Sequence, residues 1–311
     1  MTSPQIHDNA AFEAARPIVS VLIPFLRDDP SDLLTQLAAE ATPLDGAAEV
    51  IVMDDGTGDP ALTARLRALI GTLPLPIRLI SLPTNEGRAQ GRNRLTEAAR
   101  ADAFLFLDSD MRPDTEIFLR NWTEIARDPA PAVAFGGFSL DAAPQDPRFA
   151  VHRALSLRSE CVPASDRAKQ PEKYVYTSNL LVRRDVFEAE RFDPGFTGWG
   201  WEDVEWAMRV SRRFPIVHVD NPATHMGLDT VDALARKFEQ GAPNFARVVA
   251  LHPQFATAYP SYKVARILRS LPARGLLRGV LKAAAKASPL PVAARAFALR
   301  LYRTALYAEA I

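Results

Sequence analysis

A single cysteine, Cys161, is present in the chain. One thiol excludes an intramolecular disulfide and a cysteine-rich metal site, and it fits a reducing compartment. No run of about 18 uncharged apolar residues occurs, so a spanning helix is not expected. Residues 1–16 are polar and acidic without an apolar core, which argues against a secretory leader and gives a flexible N-terminus. Net charge is also lacking: 37 Lys+Arg offset 37 Asp+Glu, so the whole chain has no general attraction for nucleic acid or membrane. No repeat with a period of about 20–50 residues is visible, which sets aside solenoids and propellers. A cytoplasmic protein is expected.

What is there is an ordinary globular composition, 48% hydrophobic and 24% charged over 311 residues, enough for one or two domains. Charge is unevenly spread. Ten basic residues lie between Lys263 and Arg303, and Glu309 is the only acid after Tyr262; the preceding part holds 27 basic and 36 acidic residues.

The first 135 residues alternate apolar β-rich runs with helical patterns. Ile18 to Pro24 is a near-continuous apolar run, as in a strand buried on both faces of a parallel sheet. Further strands are predicted at 49–53, 77–81 and 103–107, with helices after each of the first three, at about 60–70 and 88–100 for the later two. Such a series implies an α/β fold, a doubly wound and mostly parallel sheet with right-handed crossovers, whose ligands bind beyond the carboxyl ends of the strands. The pattern then becomes mixed, with short strands at 133–138 and 175–181 and a helix starting near Glu202. Residues 222–311 read as helix interrupted by prolines, Pro243 among them, and a soft boundary falls near 257.

Acids and other polar residues recur where such a fold wants a ligand. Asp108-Ser109-Asp110 follows the fourth strand, a pair of hard oxygen donors suited to Mg²⁺ or Mn²⁺ shared with a diphosphate. The plain alternative is a solvated turn with a helix cap. Asp54-Asp55-Gly56-Thr57 follows the second strand and can present acceptors to a base or ribose; a capped turn is its alternative. Asn85, Gly87, Arg88, Arg92 and Asn93 add guanidinium groups matched to diphosphate, or merely solvated. Gly198-Trp199-Gly200-Trp201 sets flat rings on a pliable backbone before Glu202-Asp203, a pairing suited to stacking on sugar. Acids in a helix's first turn are also favoured by its dipole. His225 is a candidate neutral-imidazole metal ligand or a structural histidine.

Together these residues resemble the family 2 glycosyltransferases of the GT-A (Rossmann-like) type over about residues 17–227. The resemblance rests on the Val19–Pro24 strand, the 54–57 turn, Asn85/Gly87/Arg92-Asn93, Asp108-Ser109-Asp110, and the segment from Ser178-Asn179 to Arg209. Gly198-Trp199-Gly200 before Glu202-Asp203 is similar to β-1,4-galactosyltransferases and to bacterial polymerases adding N-acetylgalactosamine, with Trp201 interposed and Thr57 where Ser is usual. The likeness implies an inverting enzyme moving a hexose or N-acetylhexosamine from a UDP-sugar to an acceptor hydroxyl on a glycan, polysaccharide or lipid-linked oligosaccharide. By the same likeness, Pro24, Asp54, Asp55, Arg88, Arg92, Asp108 and Asp110 hold the nucleotide-sugar. Asp110, Asp108 and His225 serve Mn²⁺ or Mg²⁺, Asp203 is the general base, Glu202 orients the acceptor or the base, and Trp199, Gly200 and Trp201 meet sugar. Residues 17–257 then form the transferase domain, 17–135 its nucleotide-binding half and 136–257 its acceptor-binding half.

Two other readings stay open. A nucleotidyltransferase that makes nucleotide-sugars shares the sheet and the metal carboxylates, but Pro24-Phe25-Leu26-Arg27-Asp28-Asp29 lacks the glycine-rich phosphate loop. A non-catalytic sugar-binding protein has no use for both Asp110 and Asp203. The basic C-terminal extension, 258–311, carries apolar residues at helical spacing beside Lys and Arg. It suits a membrane surface, peripheral at the inner face of the plasma membrane, or packing on the domain or a second subunit.

Overall fold

The computed structural model describes residues 3–127, 130–256 and 259–311. Among them run eleven strands: β1 Gln5–Asp8, β2 Val19–Phe25, β3 Ala48–Asp54, β4 Ile77–Ser81, β5 Ala103–Leu107, β6 Met111–Pro113, β7 Val133–Phe135, β8 Phe138–Ser139, β9 Asn179–Arg183, β10 Ile216–His218 and β11 Ala223–His225. Eight form one sheet, in the order β1-β4-β3-β2-β5-β9-β7-β10; β6-β11-β8 form a second. β2 to β5 run parallel, while β1 and β9 run against their neighbours.

The four expected parallel strands are β2 to β5, and their alternation explains the apolar runs. Val21, Val50 and Leu105 point to one face, where they join Leu34, Leu66 and Trp122 of helices Ser31–Ala38, Pro60–Ile70 and Phe118–Ile125. Leu22, Ile51, Phe104 and Phe106 point to the other, with Leu95, Phe187 and Trp206 of helices Arg88–Ala98, Arg184–Ala189 and Glu202–Val210. Because both faces are covered, neither strand register leaves a polar side, and each fully buried side chain of this size contributes about 1.5–3 kcal/mol. Glu49 on β3 is the charged exception. Wholly buried, it accepts from Ser20 Oγ at 2.6 Å, the Arg100 amide at 2.7 Å and Arg100 Nε at 2.6 Å.

The chain start differs from the flexible segment expected. β1 pairs antiparallel with β4. Arg78 grips Asp8 with two hydrogen bonds of 2.7 Å, Asn9 bonds to the carbonyls of Ile70, Leu73 and Leu75, and the Phe12 ring lies under the guanidinium groups of Arg78 and Arg100. Side-chain contacts tie down a sequence whose hydropathy alone gives no reason to be ordered.

β2, β3 and β4 proceed to one side and β5 returns to the other side of β2, so the connections diverge at the carboxyl ends and leave a crevice there. The strand expected at 175–181 lies at 179–183, because Asn179 fixes its start. Asn179 donates to the carbonyls of Gly137 (3.0 Å) and Asn221 (2.9 Å) and accepts from Trp122 Nε1 (3.1 Å).

Helix Val231–Leu251 runs through Pro243 rather than breaking at it. Buried Phe238, Phe245 and Val248 on both sides of the proline hold it continuous. Helices Pro260–Arg269, Arg274–Lys286 and Val292–Ala310 follow. Leu299, Tyr302 and Leu306 of the last join Phe238, Phe245, Ala265 and Ala285 in a third core.

Candidate active site

β5 ends at Leu107 and the chain turns through Asp108 and Asp110 into β6. β6 pairs with β11, setting His225 opposite Met111, and the Met226 amide donates to the Asp110 carbonyl at 2.9 Å. This small sheet brings together two residues 115 positions apart: His225 Nε2 lies 3.2 Å from an Asp110 carboxylate oxygen. Gly227 is needed beside them, since a Cβ there would stand 2.0 Å from Asp110 Oδ2. Burial opposes charge on both partners, yet their hydrogen bond and attraction prevail, holding the Asp110 carboxyl below its usual range and the His225 imidazole above. His225 Nδ1 is buried without a hydrogen-bond partner among the described residues.

A second cluster grows from the end of β3. Asp55 accepts from the Asn85 side chain (2.9 Å) and from the amides of Glu86 (2.8 Å) and Gly87 (3.1 Å), holding the turn that launches helix Arg88–Ala98. Gly56, at φ +82°, meets that turn so closely that a Cβ would stand 2.4 Å from the Asn85 amide nitrogen. Asp54 accepts from the Thr57 amide at 2.8 Å, and Asn93 exchanges hydrogen bonds with the Phe192 backbone. Arg88 and Arg92, one helical turn apart, project to the same side. Arg88 Nε is 2.6 Å from Glu202; Arg92 reaches Glu202 at 3.3 Å and Asp108 at 2.8 Å. Glu202 is 2% exposed and Arg92 1%, so this inner pair is nearly dry, while Arg88 and Asp108 extend its charge network to the open side of the cavity.

The third cluster is the aromatic loop. Trp201 has φ +77°, a left-handed conformation that costs a bulky residue about 1–3 kcal/mol. The C-terminal helix and helix Val231–Leu251 hold it there: Trp201 Nε1 donates to Tyr307 Oη at 3.2 Å, and its ring centroid lies 5.8 Å from Tyr307 and 5.0 Å from Phe245. Asn244 donates to the carbonyls of Thr197 and Gly200, both at 2.9 Å. Among the described residues Asp203 makes no ion pair and accepts one hydrogen bond, from the Val204 amide at 2.8 Å. Burial first, then the negative charge of Glu202, pushes the Asp203 carboxyl up to about 7. The same Glu202 is held below its ordinary value, burial notwithstanding, by Arg88 and Arg92.

Arg88, Asp108, Asp110, His225 and the run 199–203 all line one cavity of about 500 Å³. Arg92 is packed behind its lining, while Pro24, Asp54 and Asp55 lie outside it at the ends of β2 and β3. Among the described residues no three His, Cys, Asp or Glu side chains converge as a metal cage; Asp110 and His225 make a pair. Sequence reasoning missed Lys237, His152, Tyr176, Arg300, Arg303 and Tyr307, which also line the cavity. Lys237 pairs with Asp229 at 2.6 Å, and His152 accepts from the Asp229 amide at 2.7 Å and is pushed down to about 4 by burial, so it is neutral. A signal existed for the last three: positions 300, 303 and 307 share one helix face.

A doubly wound sheet with acids, arginines and tryptophans gathered beyond its carboxyl ends has the architecture of the GT-A transferases. The glycosyl transferase family 2 model matches residues 20–190, more than half of the chain, and the chain belongs to that family. In fold it is similar to the mannosyltransferase PcManGT from Pyrobaculum calidifontis, whose structure holds GDP-Man and Mn²⁺. The identity is 18% and the TM-score 0.60, with 97% of this chain and 89% of that one covered. It is also similar to S. aureus TarS 1–349, at 16% identity and TM-score 0.48, with 94% and 90% covered. At 18% identity the likeness to the mannosyltransferase concerns the fold. Compared with curated proteins by sequence, the chain matches none.

Proposed function

We propose that the chain transfers a hexose or N-acetylhexosamine from a UDP-sugar to an acceptor hydroxyl, with inversion, and that Asp203 is the general base. The observation that carries this is Asp203 itself: a carboxylate free of ion pairs among the described residues, lining the cavity beside Trp199 and Trp201, with a proton affinity near neutrality. A base poised near working pH contributes about 10²–10⁴-fold. Asp203 takes the acceptor proton as the acceptor oxygen bonds to the anomeric carbon and the bond to the donor's phosphate oxygen breaks. Glu202, pinned by Arg88 and Arg92, fixes the start of the helix and keeps Asp203 basic. Trp199 offers a face to the sugar. Arg88 lies toward the diphosphate, and Pro24, Asp54, Asp55 and Asp108 hold the nucleoside. Residues 17–257 are assigned to this catalytic domain and 258–311 to the extension.

Asp110 and His225 would hold a divalent ion: a carboxylate and an imidazole nitrogen brought together in the cavity lining are donors that Mn²⁺ accepts. Asp108, engaged by Arg92, is the less free donor. When bound, Mn²⁺ or Mg²⁺ supplies Lewis-acid stabilisation of the leaving diphosphate.

Assay of nucleotide release and sugar transfer with a panel of UDP- and GDP-sugars, each with Mn²⁺, Mg²⁺ or EDTA, is expected to give metal-dependent turnover with one UDP-sugar. Turnover with a GDP-sugar instead moves the donor assignment; no turnover or binding with any nucleotide-sugar, in folded protein, removes the transferase reading for this site.

No helix among the described residues is long and apolar enough to cross a membrane. The extension nevertheless exposes Ile267, Leu276, Val280 and Phe297, each more than half accessible, beside Lys263, Arg266, Arg269 and Arg274, which have no acidic partner among the described residues. We assign this surface to the face of an anionic membrane, where each cation contributes about 1 kcal/mol. Co-sedimentation with phosphatidylglycerol vesicles, lost at high salt, is the expected result; a salt-resistant dimer that ignores vesicles gives the surface to a second copy instead.

A further inference from the structure

The cavity has a second end that the transfer chemistry does not use. Arg300, Arg303 and Tyr307 follow one another along one face of helix Val292–Ala310, and all three line the cavity, as do Arg158 and Lys173. The cavity's other cations are neutralised, Arg88 by Glu202 and Lys237 by Asp229. Arg158, Arg300 and Arg303 have no acidic partner among the described residues, and Lys173 meets only the Gln170 side chain, at 3.3 Å, and the Tyr174 ring. Glu160 is the acid next in sequence to these donors in the lining, and among the described residues it forms no ion pair.

A solvated basic helix face is the ordinary explanation for unpaired arginines, and Arg300 and Arg158 are exposed. Arg303 does not fit it. Its guanidinium carbon lies 5.2 Å over the Phe238 ring, and its Nε is buried with no hydrogen-bond partner among the described residues. A desolvated guanidinium N–H without an acceptor is costly unless a ligand supplies one. Half-buried Tyr176, Arg303 and Asp203 line the same cavity, so this cationic end opens into the space that the general base faces.

We propose that this end of the cavity binds a phosphoryl group carried by the acceptor, with Arg303 and Arg300 as its main partners and Arg158 and Lys173 completing the ring of donors. A carboxylate is satisfied by one bidentate arginine; four cations from three segments of the chain match a dianion with three acceptor oxygens. The acceptor hydroxyl is then fixed at a set distance from its phosphate, facing Asp203. The assignment rests on the transferase reading only for which substrate bears the phosphate.

The test is binding, read without turnover. Calorimetry in EDTA compares glucose 6-phosphate with glucose, and geranyl diphosphate with geraniol, on the full chain. The phosphorylated member of a pair is expected to bind and its partner not to. Arg300→Ala, an exposed change that leaves the fold intact, is expected to weaken binding about 10- to 100-fold, the worth of one charge-assisted contact, and Arg300→Glu further. Arg303→Lys is expected to fall between wild type and Arg303→Ala. Tighter binding of geranyl diphosphate than of glucose 6-phosphate indicates a lipid-linked acceptor, and the reverse a soluble phosphate ester. Equal binding within each pair, or unchanged phosphate binding in Arg300→Glu, overturns the proposal. Loss of transfer from every nucleotide-sugar with phosphate binding intact removes the transferase reading and leaves the anion site standing.

Discussion

Asp203→Asn is expected to lower kcat by about 10²–10⁴-fold, with donor binding retained and no loss of thermal stability at pH 8. The amide keeps the shape and the contact with the Val204 amide but cannot accept the acceptor's proton. Because burial and Glu202 raise the Asp203 carboxyl to about 7, wild-type kcat should climb as pH rises through that value and then level off. The residual activity of the variant should lack this limb. Stability runs the other way. A carboxyl raised in the folded protein ionises first in the unfolded chain, at about 4, so the wild type is stabilised below that pH and loses the contribution as pH climbs to about 7. The uncharged amide of the variant carries no such penalty, and the Tm of Asp203→Asn at pH 8 should equal or exceed that of the wild type. Glu202 is the poorer base despite its burial, since Arg88 and Arg92 keep it ionised and occupied. Wild-type kcat in Asp203→Asn would sink the assignment.

The parallel strands were legible because burial on both faces demands apolar residues at nearly every position, and Val21 to Ile23 or Phe104 to Leu107 supply them without a break. The acids of the candidate site were legible for a related reason: Asp108 and Asp110 stand just past a buried strand, where charge has no cause in the strand itself, whereas Asp54, read the same way, holds a turn outside the cavity. Contacts that close over long separations left no local trace. β8 has two residues and β11 three, too short for any periodicity, yet their sheet sets His225 on Asp110. The order at the chain start depends on Arg78 and Arg100, which lie 70 positions beyond Asp8 and 88 beyond Phe12. The C-terminal helix looked like any amphipathic basic helix, and nothing in its sequence announces Phe238 as the neighbour of Arg303 or Trp201 as the neighbour of Tyr307. Trp201 itself breaks a local rule, a bulky residue at positive φ, and such exceptions collect where a loop is held for function.

Asp110→Ala and His225→Ala are each expected to reduce the rate in saturating Mn²⁺ to the level the wild type shows in EDTA. The loss should be about 10³-fold, because Lewis-acid stabilisation of a leaving diphosphate is worth several kcal/mol. Gly227→Ala should behave alike without touching either side chain's chemistry, as its methyl group would fall 2.0 Å from Asp110 Oδ2 and drive the carboxylate away from His225. Calorimetric Mn²⁺ binding gives a readout free of turnover. Asp110 favours the protonated imidazole and holds His225 above its ordinary value, and a proton on Nε2 must leave before that nitrogen can ligate. Mn²⁺ affinity in the wild type should therefore increase as pH rises through the imidazole range, with proton release on binding, and the dependence should flatten in His225→Ala. A protein that binds Mn²⁺ equally well with and without Asp110 holds its metal elsewhere, and Asp110 with His225 is then a structural pair fastening β11 to the end of β5.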